Sequence, residues 1–379
     1  MAVYKLFPYK DTTLYSFYPE MNTGIDSILQ ISNLNIAVDS NPQVARFLTE
    51  FVQSEITDVI DNKIGSKAWD VNFKGFIATA GGVVESTDIS VYPLAQYWWN
   101  GTGGYLDQPQ TTDGASWYTP NFSGSIAWSS SGLDTFGNSV TGSYDSSLVG
   151  QGGGSWLFES ASTSFKVTQS FDTRSEKDLN VGVKTIVERW YSGSMNNYGF
   201  ITKWEDTVEF NQNLQIQPTM QFYSVDTNTI YPPELEFKWQ DYTTVLTGSL
   251  SSSIVSTTNL VSSLNENPGT FLPSSVNRFR FNVADKYPIR TWITSSRFTG
   301  VNFLPTSSYY AIKDLDTNEF VVDFDTTYTQ LSSDSSGNYF DVYMNGLEPE
   351  RYYKILVKTI INGSTLILDD NYYFKVING

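Results

Sequence analysis

Apolar and polar residues alternate with a period of two along most of this chain, the signature of half-buried strands. "TTLYSFYP" and "DSILQIS" alternate on either side of "MNTG", where Asn22 and Gly24 supply turn chemistry. "WDVNFKGFIATA" at 69–80 alternates imperfectly through Val71, Phe73 and Phe76, and "STDISVYPLAQYWW" follows as a second strand. "NPQVARFLTEF" at 41–51 fits two periods. Asn41-Pro42 with Val44, Phe47, Leu48 and Phe51 reads as a helix, and Phe47, Thr49 and Phe51 also share one face of a strand. Residues 53–64 lean helical through Ile56, Ile60 and Ile64 and end at Gly65.

One unit has a clear 3.6-residue period. In "DLNVGVKTIVERWYSGSMNNYGFITKW", Val183, Ile186, Val187 and Trp190 form one apolar helix face, with Asp178 or Asn180 as N-cap and Gly193 at the C-terminal stop. A strand follows, with Phe200, Thr202 and Trp204 on one side. So short a helix needs tertiary packing to exist, and the unit reads as a plug for the open end of a sandwich.

The stretch 101–155 is too long for an ordinary connection. It reads as a Gly/Ser-rich loop insertion anchored by Trp117, Trp128 and Trp156, with "GQGGGSW" at 150–156 using backbone freedom that glycine supplies. "YPPELEFKWQDY" at 231–242 reads as a linker and a strand, and the Ser/Thr-rich 247–275 as a connector. In the last hundred residues Leu347, Pro349 and Tyr353 have the spacing of the tyrosine corner of immunoglobulin-like and fibronectin type III sandwiches, and Asn362-Gly363 marks the turn of a closing hairpin. The expected fold class is therefore all-β. It comprises a jelly-roll-like β-sandwich with a short helix over 1–225, a strand and connector over 226–275, and an Ig-like or fibronectin type III-like β-sandwich over 276–379.

Composition narrows the chemistry. With 379 residues, 40% hydrophobic and 15% aromatic, the chain can bury sizeable cores. It has no Cys and no His, which excludes disulfides, thiol catalysis, cysteine–zinc sites and Ser-His-Asp catalysis. A net charge of −17 argues against nucleic-acid and anionic-membrane partners. The N-terminus lacks a long apolar signal segment, and no run of about 18 apolar residues is present to span a membrane.

Three groups of side chains are candidates for chemistry. The pairs Asp323/Asp325, Asp314/Asp316 and Asp369/Asp370 offer oxygen ligands to Ca²⁺, with Asp323 and Asp325 expected on one strand face; solvated turns are the plainer reading, and no cofactor is expected. Glu205 and Asp206 are sequence neighbours and point to opposite faces of a strand, unlike the converging carboxylates of a glycosidase. Trp98, Trp99, Tyr105, Trp117 and Tyr118, with Tyr97, cluster near Gly and Asp residues. Rings of this kind stack on sugars, contact a neighbouring subunit, or anchor a loop.

Residues 10–204 resemble the DNRLRE-type β-sandwich family, also called carbohydrate-binding module family ninety-six. The motifs are Asp11 before a strand, the Pro19–Asn22–Gly24 turn, Arg46 in "ARFLTEF", Trp98 or Trp99 with "GASW" at 114–117, and Trp190–Gly193 followed by "NYGF" at 197–200. Their order over half the chain carries the resemblance, and Arg46 tips 41–51 toward strand. The Gly/Ser insertion at 129–154 and the helical 52–68 depart from the family pattern. The whole chain is similar in style to virion structural proteins of marine contractile-tailed phages, which pair this sandwich with Ig-like modules. The resemblance implies a non-enzymatic virion component in neck, tail or baseplate. It would act through interfaces with other virion proteins, as a homo-oligomer in a symmetric assembly. The alternative is a module that binds host surface glycans.

Overall fold

The structure is a computed structural model that describes residues 2–35, 42–81, 83, 86–121, 126–142, 152–160, 163–172, 178–209, 218–244, 253–287 and 301–378. The chain is all-β. It divides into two compact units, and the division is not linear in sequence. One comprises Leu6–Lys63 and Val71–Glu236; the other comprises Met1–Lys5, Ile64–Asp70 and Phe237–Gly379. The middle of the Gly/Ser insertion (143–151) and the start of the Ser/Thr run (245–252) lie outside the described residues.

The first unit is built on a large, mainly antiparallel sheet. Its order is Val167–Phe171, Thr87–Pro93, Phe200–Trp204, Pro42–Glu50, Ile28–Asn35, Thr219–Tyr223 and Ile77–Gly81, with Lys10–Tyr15 also paired to Pro42–Glu50. The ambiguous 41–51 is thus a strand. Its alternation serves two buried faces: Phe47 on one, Val44 and Leu48 on the other. The Phe47 face meets Phe222 at 5.5 Å, and neighbouring rings continue the layer through Phe51–Phe73 and Phe73–Phe200. Phe73 arrives on Trp69–Gly75, whose Asn72–Gly75 pairs with Leu179–Gly182. The imperfect alternation near Phe76 has a cause: the chain leaves one sheet after Gly75 and enters another at Ile77.

The helix Lys184–Ser192 forms as its apolar period requires, burying Ile186, Val187 and Trp190, and Gly193 stops it at φ +69°. Trp190 lies 4.8 Å from Phe200, so the helix covers one end of the phenylalanine layer. Its N-terminus differs from expectation. Val183 is the N-cap and makes no side-chain cap bond, because 179–182 is a strand. Asp178 instead accepts from the Ile77 amide, and Asn180 pairs with Asn72. The region 53–64 is helical, as Gln53–Asp58 followed by a π-turn through Val59–Ile64.

The second unit is a two-sheet sandwich. One sheet runs Leu260–Asn265, Val276–Asp285, Gly337–Tyr343, Ser332–Asp334; the other runs Thr270–Phe271, Ser364–Val376, Tyr352–Ile361, Ser308–Asp314, Phe320–Val322. Between them Tyr310 stacks on Phe340 at 4.4 Å, and Phe279, Tyr353 and Phe374 extend the core. The tyrosine corner is present: Tyr353 Oη donates to the Glu348 carbonyl at 2.9 Å. Asn362-Gly363, at φ 50° and 79°, makes the tight turn of the closing hairpin. The expected connector 247–275 is corrected by the structure. Its described part supplies strands Ser253–Ile254, Leu260–Asn265 and Thr270–Phe271, and Leu260 and Leu264 pack on the core. Val261, Ser263 and Asn265 face outward, while Ser262 shares the half-buried face of the two leucines, so the strand shows no clean apolar–polar alternation.

Candidate functional site

The long loop after Thr87–Pro93 folds back over the Val44/Leu48 face of the large sheet. It is held there by four indoles: Trp98, Trp117, Trp128 and Trp156 are buried together with Leu14, Leu48, Leu94 and Ile201. Each buried ring removes on the order of 150–250 Å² of surface from contact with water, which suffices to hold a loop rich in Gly, Ser and Thr.

Two buried charge clusters fasten this roof. Arg46 lies 5.0 Å from the Trp117 ring and 5.3 Å from Trp156. It gives a fork to Glu209 at 2.8 and 2.9 Å and a bond to the Gly153 carbonyl at 2.5 Å. Lys203 reaches the same Glu209 at 3.0 Å, and the side chains of all three are buried. Gly152, Gly153 and Gly154 all have φ above +70°, and a Cβ on Gly153 would stand 2.7 Å from both the Arg46 guanidinium and the Trp117 ring. Glycine is required there on two counts, backbone conformation and space. In the second cluster, Lys10 pairs with Glu50 at 2.9 Å and donates to the Trp98 carbonyl at 2.6 Å. Burial lowers the Lys10 pKa and Glu50 opposes the shift.

Asn22 clamps the outer turn of the loop. Its Nδ2 donates to the carbonyls of Asn100 and Ala115 at 2.7 and 2.9 Å, and its Oδ1 accepts from the amides of Gly24 and Gly103. Fully buried, it satisfies three backbone groups of the loop and the Gly24 amide of its own turn.

Above these fastenings the loop presents an aromatic shelf. Chain alternation sends Trp98 inward, where its Nε1 donates to the Tyr198 carbonyl, while Tyr97 and Trp99 point out at 46% and 53% exposure. Tyr97 and Trp99 meet edge to face at 5.9 Å, and Tyr97 also meets Tyr198 at 6.1 Å. The Lys10 ammonium lies 4.3 Å from the Tyr97 ring centroid. Tyr9 adds a further exposed ring, fixed by a 2.6 Å bond from its hydroxyl to Glu50. Trp99 is locked through its backbone, donating to Pro120 and accepting from Ala115. Rings held this way lose little conformational freedom on meeting a flat apolar surface.

The structure therefore splits the aromatic candidates. Trp99, Tyr105 and Tyr118 are exposed; Trp98 and Trp117 are fully buried and serve as loop anchors, so neither is open to a ligand. The carboxylate candidates are turn and pairing groups. Asp323 and Asp325 do not share a strand face, because the strand ends at Val322. Asp323 accepts from the Phe324 amide, and Asp325 accepts from the amides of Thr327 and Tyr328. Asp314 is bound by a fork from Arg351, and Asp369 pairs with Lys354. Among the described residues no three acidic side chains converge on one point. Glu205 bonds Lys166 and Ser90, while Asp206 bonds Lys203. Asn22 and Glu209 were missed by sequence reasoning. Asn22 sits in a stretch whose turn signal explained it fully, and no local pattern marks Glu209.

No helix among the described residues is long and apolar enough to cross a membrane. No protein-family model matches the chain, and no curated protein matches it. Among solved structures it is similar to a DUF4785 family protein from Legionella pneumophila subsp. pneumophila str. Philadelphia 1, at 8% identity, covering 99% of this chain and 62% of that one, with a TM-score of 0.16. It is also similar to the beta-glucuronidase of Parabacteroides merdae, at 8% identity over 96% of this chain and 36% of that one, with a TM-score of 0.17. The chain thus spans less than two thirds of either structure, and at these TM-scores neither likeness bears on fold, activity or partners.

Proposed function

We propose that this protein is a non-enzymatic structural component of a tailed-phage virion, working through protein–protein interfaces at the neck, tail or baseplate. The observation that carries the reading is the way the roof loop is built. Lys10, Arg46, Lys203, Glu50 and Glu209 are all engaged in fastening it from below, and its outward side offers aromatic rings on a rigid base. Charges used this way fix a shape, and rigid exposed rings are the side chains that anchor interfaces. The sequence resemblance to virion proteins supports the same reading. Gold-labelled antibody on purified particles tests it. Label at one fixed position is expected; particles without label, whose digests also lack the protein, overturn it.

A second reading, a module that binds host surface glycans, is favoured by Tyr97 and Trp99 in particular. Their outward faces have the size and polarity of sugar-stacking platforms. Retention on immobilised host glycan that Trp99→Ala abolishes would support this reading over the first.

A further inference from the structure

Acidity is divided unequally in this chain. Leu6–Lys63 with Val71–Glu236 carries 10 Lys and Arg against 25 Asp and Glu, a net −15; the remaining residues carry 13 against 15, a net −2. Burial removes Lys10, Arg46 and Lys203 together with Asp11, Glu50, Glu209, Glu234 and Glu236, so most of the excess acidity of the first unit stays at its surface.

The C-terminal sandwich gathers lysines on one outer sheet face. Directly opposite residues of paired strands share a face. Lys358 faces Tyr309 and Lys354 faces Lys313 across one pairing, and Lys375 faces Tyr352 and Tyr373 faces Lys354 across the next. The intervening Tyr310, Ile312, Tyr353 and Ile355 belong to the core, so the lysines point away from it. Each ammonium lies over a ring. Lys358 is 4.7 Å from the Phe324 centroid, Lys313 is 4.5 Å from Phe320, and Lys375 is 5.6 Å from Tyr352. Lys354 and Lys375 are paired with Asp369 and Glu350, whereas Lys313 and Lys358 have no carboxylate in ion-pair range among the described residues. A lysine already held over a ring has less rotamer freedom to lose at an interface.

The first unit has a corner of the opposite character. Buried Asp11 accepts from the Ser224 hydroxyl and the Val225 amide, which brings Asp226 close. The Ser224 amide donates to the Ser27 carbonyl next to Asp26, and Asp107 accepts from the Gly104 amide beside Tyr105; none of these four carboxylates is in an ion pair among the described residues. Phe17 and Tyr105, each about half exposed, stand in the same corner through the ring contacts of Tyr15 and Tyr18.

We propose that the lysine–aromatic sheet face of the C-terminal sandwich docks on the acidic aromatic corner of the first unit in a second copy of this chain. Two different patches meet, so the contact is heterologous and propagates into a ring or a filament. Ring-bearing cores with opposite charge around them supply both affinity and register. The inference deepens the assembly reading above and rests on it for its biological setting.

The test uses the full chain in sedimentation velocity. The wild-type mass should rise with concentration at about 50 mM salt and fall toward monomer at roughly 500 mM, where the screening length is a few ångströms. Lys313→Glu/Lys358→Glu breaks the face, and Asp107→Lys/Asp226→Lys breaks the corner. Each should weaken association by about tenfold or more. Mixed together they should form 1:1 dimers that grow no further, because each contributes its one intact patch. Near-UV circular dichroism confirms that each variant is folded; a corner variant that fails this check is replaced by Tyr105→Ala, which breaks the same contact without a buried charge. A wild-type chain that stays monomeric at low salt, or a mixture that gains no dimer, overturns the proposal. Particle labelling reads the function separately. Label with no self-contact removes this interface alone, and self-contact without label removes the virion assignment alone.

Discussion

Replacing Arg46 by Met tests whether the buried cluster holds the roof. Methionine fills a similar volume and leaves no charge of its own. The substitution removes two charge-assisted bonds to Glu209, at 2.8 and 2.9 Å, and leaves the Gly153 carbonyl without its 2.5 Å donor. Breaking one partner out of a buried ion pair costs about 3–5 kcal/mol. Lys203 stays 3.0 Å from Glu209, which places the loss at the lower end. The abandoned carbonyl adds about 1 kcal/mol, so the expected total is about 4 kcal/mol. Adding Glu209→Gln should recover at least about 2 kcal/mol of it, because the uncompensated carboxylate disappears. Urea unfolding at 25 °C, followed by tryptophan fluorescence, reads both values, since Trp117 and Trp156 flank the guanidinium. The transition of the first unit must be fitted by itself, as a chain of two compact units need not unfold in one step. A loss below about 1 kcal/mol for Arg46→Met, or simple additivity in the double variant, would falsify the fastening role.

Three further outcomes follow from the same geometry. Trp117→Ala should cost about 3–5 kcal/mol and open the roof to protease, while Trp99→Ala should change stability by less than about 1 kcal/mol and abolish capture of whatever the shelf contacts; equal melting losses for the two would contradict the split between anchor and shelf. Asp11 is pushed up to about 7, chiefly by burial, despite accepting from Ser224 and the Val225 amide. A carboxyl whose folded pKa lies above its unfolded value of 3.8 destabilises progressively as pH rises between the two, so Asp11→Asn should match wild type near pH 4 and exceed it by a few kcal/mol, on the order of 1.4 per pH unit, at pH 8; parallel melting profiles across that range would sink the idea. Tyr353→Phe removes the 2.9 Å bond to Glu348 and should lower the stability of the C-terminal sandwich by about 1–2 kcal/mol, seen as an earlier melting transition with the fold retained.

Much of this architecture was legible where local chemistry and period agreed. The helix ending at Gly193, the strand face of Phe200, Thr202 and Trp204, the tyrosine corner and the Asn362-Gly363 turn each combine a stop signal with a period, and each is present. Trp117, Trp128 and Trp156 anchor the insertion, as large rings in a polar loop must. Three features escaped for physical reasons. Leu260–Asn265 is a sheet edge with only one side half-covered, and it places Ser262 among the half-buried positions and Val261 among the exposed ones, so its alternation is blurred and it imitates a loop. Trp98 and Trp99 differ only in which way alternation sends them, and that is set by pairing across the fold. The Arg46–Glu209 bond joins residues 163 apart, with nothing in either neighbourhood to announce the other.

That last separation also sets a schedule. Arg46 leaves the ribosome long before Gly153 and Glu209, which are 107 and 163 residues behind it. At a synthesis rate of roughly 5–20 residues per second, Glu209 follows after about ten to thirty seconds. Through that interval the Leu14, Val44 and Leu48 face has no roof, and the guanidinium has no carboxylate. The unit closes late in its own translation, and until then this apolar face is open to chaperones and to neighbouring nascent chains.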